Sequence, residues 1–157
     1  MKILYICTHN RCRSILSEAI TNDLAGDVIT AKSAGSAPAG EVHPLTLKYL
    51  AQSGYKTAHL RSQSWDDFAD FAPDVVVTLC DSAAGESCPV YFGKSIKLHW
   101  GLNDPSKNTD SDAATEQAFL QCISVIEKRV AALKAIVELG AQGEDFVSQL
   151  RQIGEIV

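Results

Sequence analysis

Residues 7–14 (Cys-Thr-His-Asn-Arg-Cys-Arg-Ser) place a nucleophile, Cys7, six positions before a guanidinium, Arg13. An apolar run, residues 2–6, precedes this segment, and helical spacing of apolar residues follows it. A loop that leaves a strand and enters a helix directs its N–H groups to one point, near the positive end of the helix dipole. Such a loop binds a tetrahedral oxyanion, with Arg13 beside it and Cys7 beneath it as a thiolate.

We call residues 7–14 the anion loop. A cysteine at the end of a strand is usually a core residue, but the order of strand, loop, Ser14 and helix favours an anion site here. Cys12 has three interpretations: a small structural residue, a protective disulfide partner of Cys7, or a resolving thiol. The predicted substrate-binding residues are Thr8, His9, Asn10, Arg11, Cys12, Arg13 and Ser14.

Asp104 lies in a loop that also contains glycine, asparagine and proline and that follows the last predicted strand. An aspartate before Pro105 is often only a turn former. If the anion loop lies at the same edge of the sheet, however, Asp104 becomes a candidate general acid for a departing oxygen.

Cys80 and Cys88 extend the possible chemistry. Cys80 directly follows the clearest strand, residues 74–79, and Cys88 lies in the small, polar segment after it. Both could be incidental thiols, one in the core and one on the surface. A phosphate-ester hydrolase needs a single thiolate, whereas a reductase needs further thiols, because reduction by thiols leaves a disulfide that must be passed on.

Strands and helices alternate along the chain, which predicts an α/β fold with a parallel sheet and helices on both faces. The predicted strands are residues 2–6, 28–34, 74–79 and 95–98, and the predicted helices are residues 14–26, 44–54, 64–71 and 112–139. Parallel strands end at one edge of the sheet, where ligands bind. That edge would bring together Cys7, Gly35, Cys80 and Asp104.

Composition predicts one globular domain: 157 residues, 46% hydrophobic and 21% charged. A net charge of −5 argues against nucleic acid or an anionic membrane as a partner. No apolar run approaches the ~18 residues of a membrane span, and we find no export signal. The five cysteines match neither a disulfide framework nor a structural zinc site, so we expect a reducing, cytoplasmic location and no metal.

The pattern Cys7-x5-Arg13-Ser14 after an N-terminal strand, with a late Asp104-Pro105, resembles the low-molecular-weight protein tyrosine phosphatase fold. Within that fold, three further segments resemble the arsenate reductase branch coupled to thioredoxin: residues 77–80, Cys88-Pro89 and residues 99–105. The similarity extends from residue 1 to about residue 137. It implies three layers, with a four-stranded parallel sheet of order 2-1-3-4 flanked by helices.

The resemblance also implies a reaction. Cys7 would attack arsenate held by the loop amides and Arg13, and Cys80 would then attack Cys7, which releases arsenite. Cys88 would next form a disulfide with Cys80, for reduction by thioredoxin or, as an alternative, glutaredoxin. Asp104 would be the acid, phosphate or sulfate would mimic the substrate, and a monomer without a cofactor is expected.

The sequence departs from this family in three places. The interval between Cys80 and Cys88 is one residue longer than usual. Gln63 replaces an aspartate that, in some members, binds potassium together with positions of the types found here at Asn10, Glu18 and Ser33, so we predict no cation. Residues 141–157 extend past the usual end of a domain formed by residues 1–140, and Phe146, Val147, Leu150 and Ile153 suggest a short amphipathic helix there.

Two other functions remain open from the sequence. The first is a phosphatase that hydrolyses phosphate esters through a Cys7 phosphoenzyme. Against it, Ser106 stands where phosphatases of this fold usually carry a tyrosine that stacks on the substrate ring. The second is a sensor or scaffold that binds an oxyanion without turnover, which a complete set of Cys7, Arg13 and Asp104 argues against.

Overall fold

Four parallel strands form the sheet of this protein: β1 (Lys2–Ile6), β2 (Thr30–Ala34), β3 (Val75–Thr78) and β4 (Ile96–His99). The computed structural model describes residues 1–85, 92–107 and 110–157. The strand order is β2-β1-β3-β4, with Lys2 opposite Thr30 and Ile3 opposite Val75. The predicted sheet and its 2-1-3-4 order are therefore confirmed.

Helices flank the sheet. They are α1 (Arg13–Ala25), α2 (Pro44–Gln52), α3 (Asp81–Ala84), α4 (Asp112–Glu138) and α5 (Gly143–Ile153), with short 3-10 helices at Trp65–Phe68 and Pro105–Lys107. Their starts follow from the sequence: the Ser111 hydroxyl accepts a hydrogen bond from the N–H of Ala114, and Ser64 caps Trp65–Phe68 in the same way. None of the helices in the described ranges has the length and apolar character needed to cross a bilayer.

The core lies on both sides of β1. Its residues Ile3, Leu4, Tyr5 and Ile6 are each at most 2% exposed. Successive side chains of a strand point to opposite faces, so four consecutive buried residues mean that both faces are covered. The carboxyl end of β1, where the anion loop begins, is thus anchored in the core.

Three segments differ from the expected elements. The helix predicted over residues 64–71 is only a short 3-10 helix, Trp65–Phe68. Strand β2 begins at Thr30, two residues later than predicted, because Val28 and Ile29 both donate to the carbonyl of Ala25 and close the end of α1. No helix was predicted in the small, polar segment that contains Cys88, but α3 begins at Asp81. The Cys80 sulfur accepts a hydrogen bond from the N–H of Ala83, 3.4 Å away, and so caps this short helix.

Candidate active site

The anion loop is held open by backbone contacts. Asn10 has a left-handed conformation (φ 47°), and its N–H donates to the carbonyl of Cys7. Gly35, just after β2, passes so close that a Cβ atom there would lie 2.4 Å from the carbonyl oxygen of Thr8. Glycine at this position therefore allows the second strand to support the loop from below.

Cys7 lies at the base of the loop, 5% exposed, with its sulfur 3.3 Å from the Ser14 hydroxyl. The Asn10 side-chain NH₂ donates to the same hydroxyl oxygen at 2.8 Å. Because an amide nitrogen only donates, the Ser14 hydrogen remains available for the sulfur. The Asn10 carbonyl oxygen in turn accepts from the N–H of Gln63 at 2.7 Å. This chain of hydrogen bonds directs the Ser14 hydrogen to the Cys7 sulfur.

We expect Ser14→Ala to slow the alkylation of Cys7 by iodoacetamide at pH 7 by about tenfold, since a hydrogen bond to a charged group contributes roughly 1.5 kcal/mol or more. Mass spectrometry of the Cys7 peptide over time would measure this rate. Ser17→Ala is the matched control, because the Ser17 hydroxyl is also buried in α1 but donates to the Arg13 carbonyl. Equal rates for wild type and Ser14→Ala would contradict the assignment.

Arg13 links the anion loop to the segment after β4. Its Nη1 donates to the carbonyl of Leu102 at 3.0 Å, and its Nη2 lies 3.6 Å from Oδ2 of Asp104. Its Nε is buried and has no acceptor in the described part of the chain. The other carboxylate oxygen of Asp104 accepts from the N–H and the hydroxyl of Ser106 at 2.9 and 2.6 Å. Both side chains are therefore fixed in orientation, and Arg13 retains a donor for an anion.

The loop residues surround a cavity of about 370 Å³. Within the described ranges, the N–H groups of His9, Arg11 and Cys12 have no backbone acceptor, which leaves them available to an oxyanion. Asn10 and Ser14 are fully buried and support Cys7 from behind the cavity. The cavity is lined by Cys7, Thr8, His9, Arg11, Cys12, Arg13, His43, Cys80, Asp104, Ser106 and Lys107.

Cys80 reaches the same cavity from the end of β3. Its sulfur lies 3.6 Å from the Thr8 hydroxyl, although 72 residues separate the two in sequence. The thiol is 7% exposed. Cys88, predicted as the third thiol of the site, lies outside the described residues. The structure thus brings together four of the five residues predicted to be catalytic: Cys7, Arg13, Cys80 and Asp104.

The other two described cysteines are Cys12, in the anion loop, and Cys122, in α4. Cys12 and Cys122 are buried free thiols, and burial raises the pKa of both, that of Cys122 to about 12. A thiol that stays protonated at neutral pH is a poor nucleophile. The raised pKa of Cys12 thus argues against the role of a resolving thiol and leaves the structural and protective interpretations open.

Asn10, Glu18 and Ser33 stand at positions that bind a cation in some relatives, and here they form hydrogen bonds within the protein. The Ser33 hydroxyl donates to the Glu18 carboxylate at 2.6 Å, and Asn10 is occupied by Gln63 as described above. Burial raises the pKa of Glu18, although the bond from Ser33 partly offsets the shift. The prediction that no cation binds remains a prediction.

Three further residues shape the site but were not predicted. Leu102 contributes only its carbonyl oxygen, for which side-chain patterns give no signal. His43 lines the cavity, accepts a hydrogen bond from the N–H of Leu45, and has a pKa lowered by burial and by Arg11; no partner for it was evident from the sequence. Arg129 is buried on the apolar face of α4, three residues after Ile126, and that placement of a charge could have been noticed.

Comparisons with known proteins agree with this geometry. The family model for low molecular weight phosphotyrosine protein phosphatase matches residues 2–143. Arsenate reductase 1 of Staphylococcus epidermidis is 38% identical over 104 residues, which are 66% of this chain and 77% of that protein. The structure of an arsenate reductase in the phosphate binding state is similar, with a TM-score of 0.72, 26% identity and coverage of 87% and 98% of the two chains. A thioredoxin-dependent arsenate reductase of Corynebacterium glutamicum has a TM-score of 0.68 and 29% identity, over 89% of this chain and 63% of that one.

Proposed function

This chain belongs to the low molecular weight phosphotyrosine protein phosphatase family, and we propose that it is an enzyme of the arsenate reductase branch, which reduces arsenate to arsenite. One observation supports this most directly: the second thiol, Cys80, lines the same cavity as Cys7 and Arg13. Ester hydrolysis has no use for a second thiol at that place, whereas reduction requires one.

In the first step, arsenate binds against the loop N–H groups and the Arg13 guanidinium. The Cys7 thiolate attacks the arsenic and forms a sulfur–arsenic(V) bond. One arsenate oxygen leaves as water, with its proton supplied by Asp104. The hydrogen bond from Ser14 supports the thiolate before the attack.

In the second step, the Cys80 thiolate attacks the Cys7 sulfur. A Cys7–Cys80 disulfide forms and the sulfur–arsenic bond breaks. Its electron pair stays on arsenic, which leaves as arsenite, arsenic(III). Two thiols have then lost the two electrons that arsenic has gained.

Recovery of the enzyme requires a third thiol and an external dithiol. Cys88 attacks Cys80, which frees Cys7 and leaves a Cys80–Cys88 disulfide for thioredoxin, with glutaredoxin as the alternative donor. The similar arsenate reductase of Corynebacterium glutamicum is thioredoxin-dependent, which supports a thioredoxin-type donor here. A reducing cytoplasm fits this scheme, because the thiols must return to the reduced state. A monomer also fits it, because all three thiols belong to one chain.

The proposal is tested by coupled turnover. With thioredoxin, thioredoxin reductase and NADPH, we expect NADPH oxidation that depends on added arsenate, with one arsenite formed per NADPH. Peptide mapping after a single turnover without reductant should find a Cys80–Cys88 disulfide. If neither the thioredoxin system nor a glutathione–glutaredoxin supply sustains turnover, the proposed function is wrong.

The phosphatase alternative is less well supported but shares the first step. Cys7, Arg13 and Asp104 could form and hydrolyse a phosphoenzyme. Ser106, however, presents a hydroxyl that donates to Asp104, not an aromatic ring for a tyrosyl substrate. Vigorous phosphotyrosine hydrolysis that does not depend on Cys80 would favour this alternative.

A further inference from the structure

Residues 143–157 pack beside the loop that carries Asp104. Leu150 and Ile153 of α5 are buried, and the Trp100 indole N–H donates to the Leu150 carbonyl at 3.0 Å. The family match ends at residue 143, where this segment begins, so the segment, which we call the C-terminal tail, extends beyond the shared domain. Its last residue, Val157, borders a cavity of about 760 Å³ that Cys80 and Asp104 also line.

Arg129 of α4 joins the tail to that loop. The residue is 4% exposed. It donates to the carbonyls of Trp100 (3.1 Å) and Gly101 (3.2 Å) on one side, and to those of Gly154 (3.0 Å) and Ile156 (3.1 Å) on the other. A buried cation is costly unless its donors are satisfied. Here the acceptors come from both segments, so each segment keeps the other in place.

The contacts continue to the reacting groups. Leu102, the residue after Gly101, accepts from Arg13, and Asp104 lies two residues further on, beside the same guanidinium. We propose that Arg129 and the C-terminal tail position Asp104 and the Leu102 carbonyl for the reaction. Arg129 is thus a positioning residue, which acts through the loop and not on the substrate. This inference rests on the proposed function for its main assay.

Gly154 gives a way to separate the tail from the loop. A Cβ atom there would lie 2.6 Å from Cδ1 of Trp100 and 3.3 Å from the carbonyl oxygen of His99. The backbone of Gly154 is ordinary helix (φ −63°), so glycine is required by this close approach and not by its conformation. A valine at this position must push the tail away from the loop.

We expect Gly154→Val to lower kcat for arsenate by about tenfold and to change KM by less than about twofold, because the anion loop lies on other elements. Gln152→Val is the matched control: it adds the same branched side chain at an exposed position of α5. A chain that ends at Ile153, and so lacks two of the Arg129 acceptors, should repeat the loss if Gly154→Val folds poorly. A kcat equal to that of Gln152→Val would overturn the inference.

A double-mutant cycle separates positioning from general damage. In an Asp104→Asn background, Gly154→Val should lower the rate of the first step by a smaller factor than in the wild-type background, because one of the two groups that the tail positions, the Asp104 carboxylate, is already gone. Equal losses in both backgrounds would overturn the inference.

Hydrogen–deuterium exchange provides a readout that does not need turnover. In Gly154→Val, the amides of residues 99–104 should exchange about tenfold faster, while those of residues 7–14 stay unchanged. If the wild-type chain reduces no arsenate, the proposed function fails, and this exchange alone then decides the inference. Unchanged exchange at residues 99–104 would overturn it.

Discussion

Replacement of Cys7 by serine is expected to reduce arsenate turnover by about 10⁴-fold or more, the scale of loss seen when a nucleophile is removed. A serine hydroxyl is not ionised at neutral pH, even with the hydrogen bond from Ser14 that supports the thiolate. It also cannot form the disulfide that transfers electrons to arsenic. The coupled NADPH assay measures the loss, and arsenite in the product is counted separately.

Cys122→Ser is the matched control for this variant. Cys122 is also a buried thiol, 7% exposed, but it lies in α4 and takes no part in the proposed reaction. Turnover of Cys122→Ser should stay close to wild type even if its melting temperature falls. If Cys7→Ser retained more than about a tenth of the wild-type rate, Cys7 would not be the nucleophile, because no other group replaces a lost nucleophile that well.

The parts of the site that the sequence predicts are those with a local signal or a topological one. The anion loop is local, because a strand, a loop and a helix follow one another in residues 2–25. The signal for Cys80 is topological. This residue follows β3, which pairs with β1, so it lies at the same edge of the sheet as the anion loop. Neither inference needed knowledge of side-chain packing.

The contacts that were not predicted depend on packing between distant segments. Nothing in the sequence around Gly154 shows that Trp100 lies against it, and Arg129 gives no sign of its four carbonyl partners. Carbonyl groups are present at every residue, so the pattern of side chains does not reveal which ones a guanidinium will bind. The amphipathic pattern of residues 146–153 does indicate a helix, but not the surface that the helix covers.

Replacement of Cys80 by serine is expected to abolish multiple turnover with the thioredoxin system, with a loss of about 10³-fold or more. Without the second thiol, the sulfur–arsenic bond on Cys7 has no internal attacker, and arsenite is not released by disulfide formation. Slow hydrolysis of an aryl phosphate needs only Cys7, Arg13 and Asp104, so it should remain near the wild-type rate. The NADPH assay and p-nitrophenyl phosphate hydrolysis, run on one preparation, measure the two activities.

The comparison of the two activities also tests whether Cys80→Ser acts only by disturbing the structure of the site. The Cys80 sulfur caps α3 by accepting a hydrogen bond from the N–H of Ala83, and a serine hydroxyl is among the best groups for that position. Cys80→Ser therefore keeps the cap and removes the redox chemistry. Cys80→Ala removes both and should lose arsenate turnover to the same extent. If arsenate reduction and phosphate-ester hydrolysis instead fell together in Cys80→Ser, Cys80 would act by holding the site in shape, and the relay of electrons through it would be wrong.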